Sequence, residues 1–127
     1  MARLEQRKHV RSFEHAFRGI LEMLRSEVNA RVHAAITVVV IVSGFALGID
    51  RNEWLALTIA TMAVWSSEAI NTAFEALCDV ASPEYHPQVR RAKDVAAGAV
   101  LITAIGAMVI GALVFGHRLL ALALSLA

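Results

Sequence analysis

Long apolar blocks alternate with short charged knots along this chain, and the blocks are the length of membrane spans instead of the spacing of a soluble core. Residues 32–49, "VHAAITVVVIVSGFALGI", carry no formally charged side chain. At ~1.5 Å per residue the block is just long enough to cross a hydrocarbon layer ~30 Å thick. The polar knot "DRNE" follows, then Trp54 where an interfacial aromatic is expected, then "LALTIATMAVW", so a second span is expected over 54–78. The stretch "SPEYHPQVRRAKD" then brings two helix-stopping prolines and a cluster of charge, and a third span is expected over 95–115. The residues from Gly116 onward are short and apolar.

Ahead of the first span the period changes. Phe13, Phe17, Ile20, Leu21, Leu24 and Val28 recur at three- and four-residue steps, while Arg11, Glu14, Arg18, Glu22 and Arg25 fall on the other side. This predicts an amphipathic helix on the membrane surface, within a cytoplasmic segment 1–31. Arginines and lysines precede the first span and recur as Arg90, Arg91 and Lys93 between the second and third, whereas the other flanks hold only Arg51 and Arg118. By the positive-inside rule the N-terminus is cytoplasmic and the C-terminus outside. The expected fold is therefore an all-α membrane protein: one domain over 1–127, with a surface helix and three spans.

Composition agrees, with 57% hydrophobic residues and a net charge of only +1. Cys78 is the single cysteine, which excludes an intrachain disulfide and any multi-cysteine metal site. No small-residue cleavage site follows the first apolar block, so a removable leader is not expected. No nucleic-acid partner is expected either.

The second span contains a contradiction. "SEAINTAFEALCD" places Glu68, Asn71, Glu75 and Asp79 inside it, and at 100° per residue these four lie within roughly 80° of one another. Glu75 and Asp79 fall near the cytoplasmic interface, with Glu68 about 10 Å deeper. A charged side chain at the centre of a span costs about 2.5–3.5 kcal/mol, so the stripe needs a partner or a cation. Three readings compete. The stripe is structural, satisfied by hydroxyls such as Ser66 or Thr72; or it lines a cation path; or it belongs to an enzyme that binds Mg²⁺ at the membrane surface.

The enzyme reading accounts for more residues. Phosphoryl transfer needs a divalent cation, a side-chain cation for the phosphates and a carboxylate base beside the attacking hydroxyl. Mg²⁺ takes oxygen ligands, usually one or two carboxylates plus substrate phosphates, a role open to Glu75 with Glu27 or Asp79. Lys93 and Asp94 follow on the side where a soluble nucleotide arrives, although Asp94 also fits the N-cap of the third span. A deeper Glu68 meets the hydroxyl of a lipid that cannot leave the bilayer. No glycine loop ending in "GK[ST]" is present, nor "HRD" or "DFG", so any kinase here has a different fold.

"EAINTAFEALCD" followed by "EYHPQVRRAKDVAAGAVL" resembles the prokaryotic diacylglycerol kinase family, small trimeric lipid kinases with three spans. Glu68, Asn71, Thr72, Glu75 and Asp79 match its signature in type and spacing, and the resemblance runs from the amphipathic helix through the third span. It implies Glu68 as catalytic base and Glu27 and Glu75 as ligands of the Mg²⁺ that escorts ATP. It further implies nucleotide contacts from Lys93, Asp94, Asp79, Glu84, Tyr85 and His86, with Lys8 and His15 reaching in from the N-terminal segment and Asn71 and Arg31 in support. His15 stands where relatives often have a nucleotide-facing tyrosine, and Phe74 and Cys78 replace aliphatic residues. The implied assembly is a homotrimer in the bacterial inner membrane, with its active site on the cytoplasmic side. The stretch containing His86 and Pro87 is similar to the undecaprenol kinases of this family more than to its diacylglycerol kinases. Undecaprenol is thus the expected acceptor, with diacylglycerol the alternative. A cation-conducting or purely structural membrane protein is the rival of a different class.

Overall fold

The computed structural model describes the backbone of residues 2–125 and the side chains of residues 11–125. Lys8 therefore lies outside the described side chains. Four helices make up the described chain: α1 (Ala2–Ser26), α2 (Val28–Ala46), α3 (Arg51–Ala81) and α4 (Pro87–Ser125). No strand occurs among the described residues.

Two of these helices, α2 and α4, are long and apolar enough to cross a membrane. α3 has the length, at 31 residues, but its stripe of carboxylates and its hydroxyl side chains dilute its apolar character. The stretches 54–78 and 95–115 lie within α3 and α4, whereas 32–49 runs three residues past the end of α2 at Ala46. α4 begins at Pro87, where a ring that fixes φ and lacks an N–H suits the first helical position, and it runs unbroken past Gly116. Asp94 consequently lies two turns inside α4, so the N-cap alternative for it is not met. The cap is His86: its Nδ1 accepts from the Gln88 backbone N–H at 3.3 Å, and its carbonyl accepts from Arg90 at 3.0 Å.

α1 and α2 are separated by a single residue. Glu27 has extended backbone angles (φ −98°, ψ 126°) and caps α2 without spending its carboxylate on a capping bond. Arg31 braces this elbow, donating through Nη1 to the carbonyls of Leu24 and Arg25 at 3.4 and 2.9 Å, which are free at the end of α1. On α1 itself, Phe13 and Phe17 are about two-thirds exposed. Met23 is the residue that buries, because the face turned to α3 is built from small side chains such as Ala16 and Gly19.

The opposite end is pinned more tightly. α2 turns into α3 through Gly48, whose φ of +57° only glycine adopts without strain. Asp50 and Glu53 then form a reciprocal capping box. Asp50 Oδ1 accepts from the backbone of Asn52 and Glu53, and Glu53 Oε2 accepts from the Asp50 N–H at 2.7 Å. Arg118 of α4 joins this corner, donating to Glu53 Oε2 at 2.5 Å and to the carbonyls of Leu47 and Gly48 at 3.0 and 3.2 Å. Gly44 lets the indole of Trp54 lie against α2, since a Cβ there would come within 2.7 Å of the ring. Along their length α3 and α4 pack through buried residues such as Leu57 and Val114, with a polar link midway, Ser67 Oγ to Thr103 Oγ1 at 2.8 Å.

Candidate active site

The polar stripe of α3 faces the bundle. Glu68 is the most buried charged residue described, with 2% of its surface exposed. The hydroxyls that the structural reading offered do not satisfy it: among the described residues nothing bonds Glu68 Oε2, and the Thr72 hydroxyl is itself buried without a partner. Asn71 donates to Glu75 Oε1 at 3.1 Å while its own Oδ1 is buried and unpaired. Three neighbouring polar atoms on one helix face are thus buried with no partner among the described residues, an arrangement that costs about 1–3 kcal/mol per group until a donor or acceptor arrives.

One helical turn further toward the α3–α4 loop, the stripe opens into a cleft of about 640 Å³ between α1 and α3. Glu27, at the break between α1 and α2, and Glu75, on α3, both line it, and Asp79, Thr72, Glu22 and Ser26 share its walls. The break at Glu27 is what turns that carboxylate toward α3, because an unbroken helix would carry it onward with the helical twist. Glu68 is buried two turns along α3 from Glu75, within electrostatic range of Glu27, Glu75 and His33.

Lys93 approaches from α4. Its Nζ donates to Asp79 Oδ1 at 2.8 Å, and this hydrogen bond, with the carboxylate charge behind it, holds the lysine pKa above its ordinary value. The remaining expected residues lie apart from the cleft. Asp94 pairs with Arg90 at 3.4 Å, and Glu84, Tyr85 and His86 are exposed in the turn before α4. His15 is exposed on α1, and Arg31 serves the elbow. Of the expected residues, Glu27, Glu75 and Asp79 line the cleft, and Asn71 and Lys93 are bonded to Glu75 and Asp79. Glu68 lies buried within electrostatic range of Glu27 and Glu75, and His15, Glu84, Tyr85, His86 and Asp94 are outside the cleft walls.

Sequence reasoning missed Glu22 and His33. Glu22 counts as a solvated position by periodicity, yet α1 turns that edge to α3. His33 was visible as the one titratable side chain in an otherwise apolar span, which marks it for a polar neighbour.

Among the described residues no group of three His, Cys, Asp or Glu side chains is gathered to hold a metal ion. The donors nevertheless suit Mg²⁺. Two carboxylates on facing walls of one cleft match an ion that usually takes one or two protein carboxylates and completes its octahedron with water and phosphate oxygens.

The family model for prokaryotic diacylglycerol kinase matches residues 14–115. The chain is 38% identical over 117 residues to an undecaprenol kinase of Bacillus subtilis, covering 92% of this chain and 95% of that one. It is 34% identical over 101 residues to a diacylglycerol kinase of Synechocystis, covering 79% of this chain and 58% of the relative. A diacylglycerol kinase of Escherichia coli is 28% identical over 100 residues, covering 79% and 82%. The stripe, the cleft it opens into and these matches lead to one conclusion: the chain belongs to the prokaryotic diacylglycerol kinase family and is a lipid kinase.

Proposed function

We propose that the protein transfers the γ-phosphoryl group of ATP to the hydroxyl of undecaprenol, giving undecaprenyl phosphate and ADP. The observation that carries this reading is Glu68: a buried carboxylate with an unpaired oxygen, within electrostatic range of Glu27 and Glu75 on the walls of the cleft. Glu68 takes the proton of the lipid hydroxyl as that oxygen bonds to the γ-phosphorus, and the bond from phosphorus to the bridging oxygen breaks as ADP departs. Asn71 fixes the rotamer of Glu75 through its amide. Lys93, oriented by Asp79, meets the phosphates from the far side of the cleft. Glu27 and Glu75 would hold Mg²⁺, which when bound neutralises phosphate charge. Lys8, His15, Glu84, Tyr85, His86 and Asp94 are assigned as nucleotide contacts in this reading on the family resemblance alone.

The setting is a single membrane domain in the bacterial inner membrane. α2, α3 and α4 span it with the N-terminus and the cleft on the cytoplasmic side, and α1 lies on the surface. The exposed Phe13 and Phe17 of α1 and the cationic segments before α2 and α4 support that orientation. A homotrimer is the assembly that family membership supports.

The 38% identity to an undecaprenol kinase, against 34% and 28% to diacylglycerol kinases, supports the choice of acceptor. The test is kcat/KM for undecaprenol and for dioleoylglycerol in the same host lipid. A value for undecaprenol about tenfold higher is expected, equal to ~1.4 kcal/mol of transition-state preference. A tenfold preference the other way assigns the protein to phosphatidic acid synthesis instead.

A further inference from the structure

Hydroxyl side chains inside these helices mostly turn back on their own backbone. Thr37 and Thr58 each donate to the carbonyl four residues earlier at 2.7 Å, and Ser125 donates to the one three residues earlier at 2.8 Å. A hydroxyl within a helix ordinarily either does this or points to water. Thr72 does neither. Its Oγ1 is buried, and nothing among the described residues bonds it, neither the Glu68 carbonyl one turn back nor the unpaired Glu68 Oε2.

Its position on α3 is central to the stripe. Thr72 follows Glu68 by four residues and precedes Glu75 by three, so the three side chains share a face at axial steps of about 6 and 4.5 Å. Thr72 also lines the cleft between α1 and α3. The carboxylates of that wall, Glu22, Glu27, Glu75 and Asp79, only accept hydrogen bonds when ionised. Two described side chains of the lining carry a proton to donate, Ser26 and Thr72. Ser26 Oγ is engaged with the Met23 carbonyl at 3.5 Å. The Thr72 hydroxyl is therefore the uncommitted donor among the described side chains that line the cleft.

We infer that Thr72 is a further catalytic residue, whose hydroxyl donates to a non-bridging oxygen of the γ-phosphoryl group during transfer. The inference rests on the proposed reading, in which the lipid hydroxyl meets Glu68 and the phosphates lie on the Glu75 side, so that the phosphoryl group crosses the turn Thr72 occupies. The lipid oxygen bonds to phosphorus, the bond from phosphorus to the bridging oxygen of ADP breaks, and the lipid proton passes to Glu68. Thr72 keeps its own proton throughout and supplies a hydrogen bond alone. Donor and acceptor character select the partner. The lipid hydroxyl brings a proton, and Glu68 Oε2 is free to accept it. Phosphoryl oxygens bring lone pairs, which the carboxylates of the cleft cannot satisfy and a hydroxyl can. A donor already fixed in the fold acts most strongly on the charge that gathers on those oxygens in the transition state.

Two substitutions of Thr72 test this. Thr72→Val removes the hydroxyl at nearly constant shape, and Thr72→Ser keeps the hydroxyl without the methyl group. Steady-state kinetics are compared for wild type and both variants, with undecaprenol and with dioleoylglycerol in the same host lipid. Thr72→Val should lower kcat by about 10²–10³-fold, the loss typical of one such donor, with the KM for ATP and for lipid unchanged. Thr72→Ser should return kcat to within a few-fold of wild type. Because the hydroxyl is buried and unpartnered, Thr72→Val should also have a Tm at or above that of wild type, so activity and stability part company. Wild-type kcat in Thr72→Val overturns the inference while the kinase reading stands. An equal loss in Thr72→Ser, or a kcat that falls together with Tm, makes the side chain structural and also overturns it. A raised lipid KM at unchanged kcat moves the hydroxyl's partner to the acceptor lipid, with the same consequence. A wild type that turns over dioleoylglycerol and not undecaprenol overturns the choice of acceptor alone, and the Thr72 comparison is then read in that lipid. A wild type that phosphorylates neither sinks both.

Discussion

Lys93 Nζ and Asp79 Oδ1 stand 2.8 Å apart across the turn that joins α3 to α4, so the side-chain cation of the cleft is already held by a carboxylate of the stripe. Lys93 is about one-third exposed and Asp79 about two-thirds, which keeps the pair within reach of water and of a phosphate. Asp79→Asn should leave the lysine charged but unaimed. The expected result is a rise in the ATP KM of several-fold with the lipid KM unchanged, measured by steady-state kinetics at saturating lipid.

The same pair sets a pH dependence. Because the Lys93 pKa is raised in the folded protein, the pair's contribution to stability is complete below the ordinary lysine value of 10.5 and is lost as pH rises through the higher folded value. The Tm difference between wild type and Lys93→Gln should therefore be flat around neutrality and shrink only in strongly alkaline buffer. A difference that grows from neutral to alkaline pH would contradict the pairing.

Arg118 and Glu53 predict a purely structural effect at the other end. Arg118→Ala removes a donor shared among Glu53 and the carbonyls of Leu47 and Gly48, and it leaves the side chain of Glu53, about one-sixth exposed, with its capping bond alone. Hydrogen bonds to charged groups contribute about 1.5–3 kcal/mol each, and partial exposure places the expected loss toward the lower figure. Thermal unfolding in detergent should register that loss while kcat per folded molecule stays at the wild-type value.

Gly44 is expected to be more sensitive than its place in a plain apolar helix suggests. A methyl group there meets the Trp54 ring at 2.7 Å, so Gly44→Ala should cost about 1–3 kcal/mol through overpacking, although alanine is the better helix former. Restored stability in the double variant with Trp54→Leu would show that the ring is the cause.

Periodicity made some of this legible and geometry the rest. The stripe from Glu68 to Asp79 follows from 100° steps alone, and it lies on one face of α3. Local chemistry also marked the elbow, since Glu27 sits where an amphipathic pattern gives way to an apolar one. Helix ends were less visible. His86 caps α4 with an imidazole nitrogen, a weaker signal than the serine or aspartate usually sought, so α4 starts a full two turns before Asp94. Contacts between helices were not legible at all. Lys93 with Asp79, and Arg118 with the far end of α2, are 14 and 71 residues apart, and only the packing of α4 on α3 brings them together. Glu22 was hidden for the same reason, because periodicity identifies two faces of α1 but not which edge turns to α3.

Metal dependence should separate the two cleft carboxylates from the base. Removal of divalent ions with a chelator is expected to abolish turnover and added Mg²⁺ to restore it. Glu27→Gln and Glu75→Gln should each shift the Mg²⁺ concentration for half-maximal activity upward by tenfold or more, whereas Glu68→Gln should leave it in place. A common shift in all three would merge the two roles.

The measurement that bears most directly on the account is kcat for lipid-dependent phosphoryl transfer by Glu68→Gln, taken at saturating MgATP and undecaprenol. Glutamine keeps the volume of the buried side chain and removes its capacity to accept a proton. With Glu68 as general base, kcat should fall by about 10²–10⁴-fold while the protein retains its Tm and its ATP KM. A variant that turns over lipid at the wild-type rate would show that the buried carboxylate is not the base.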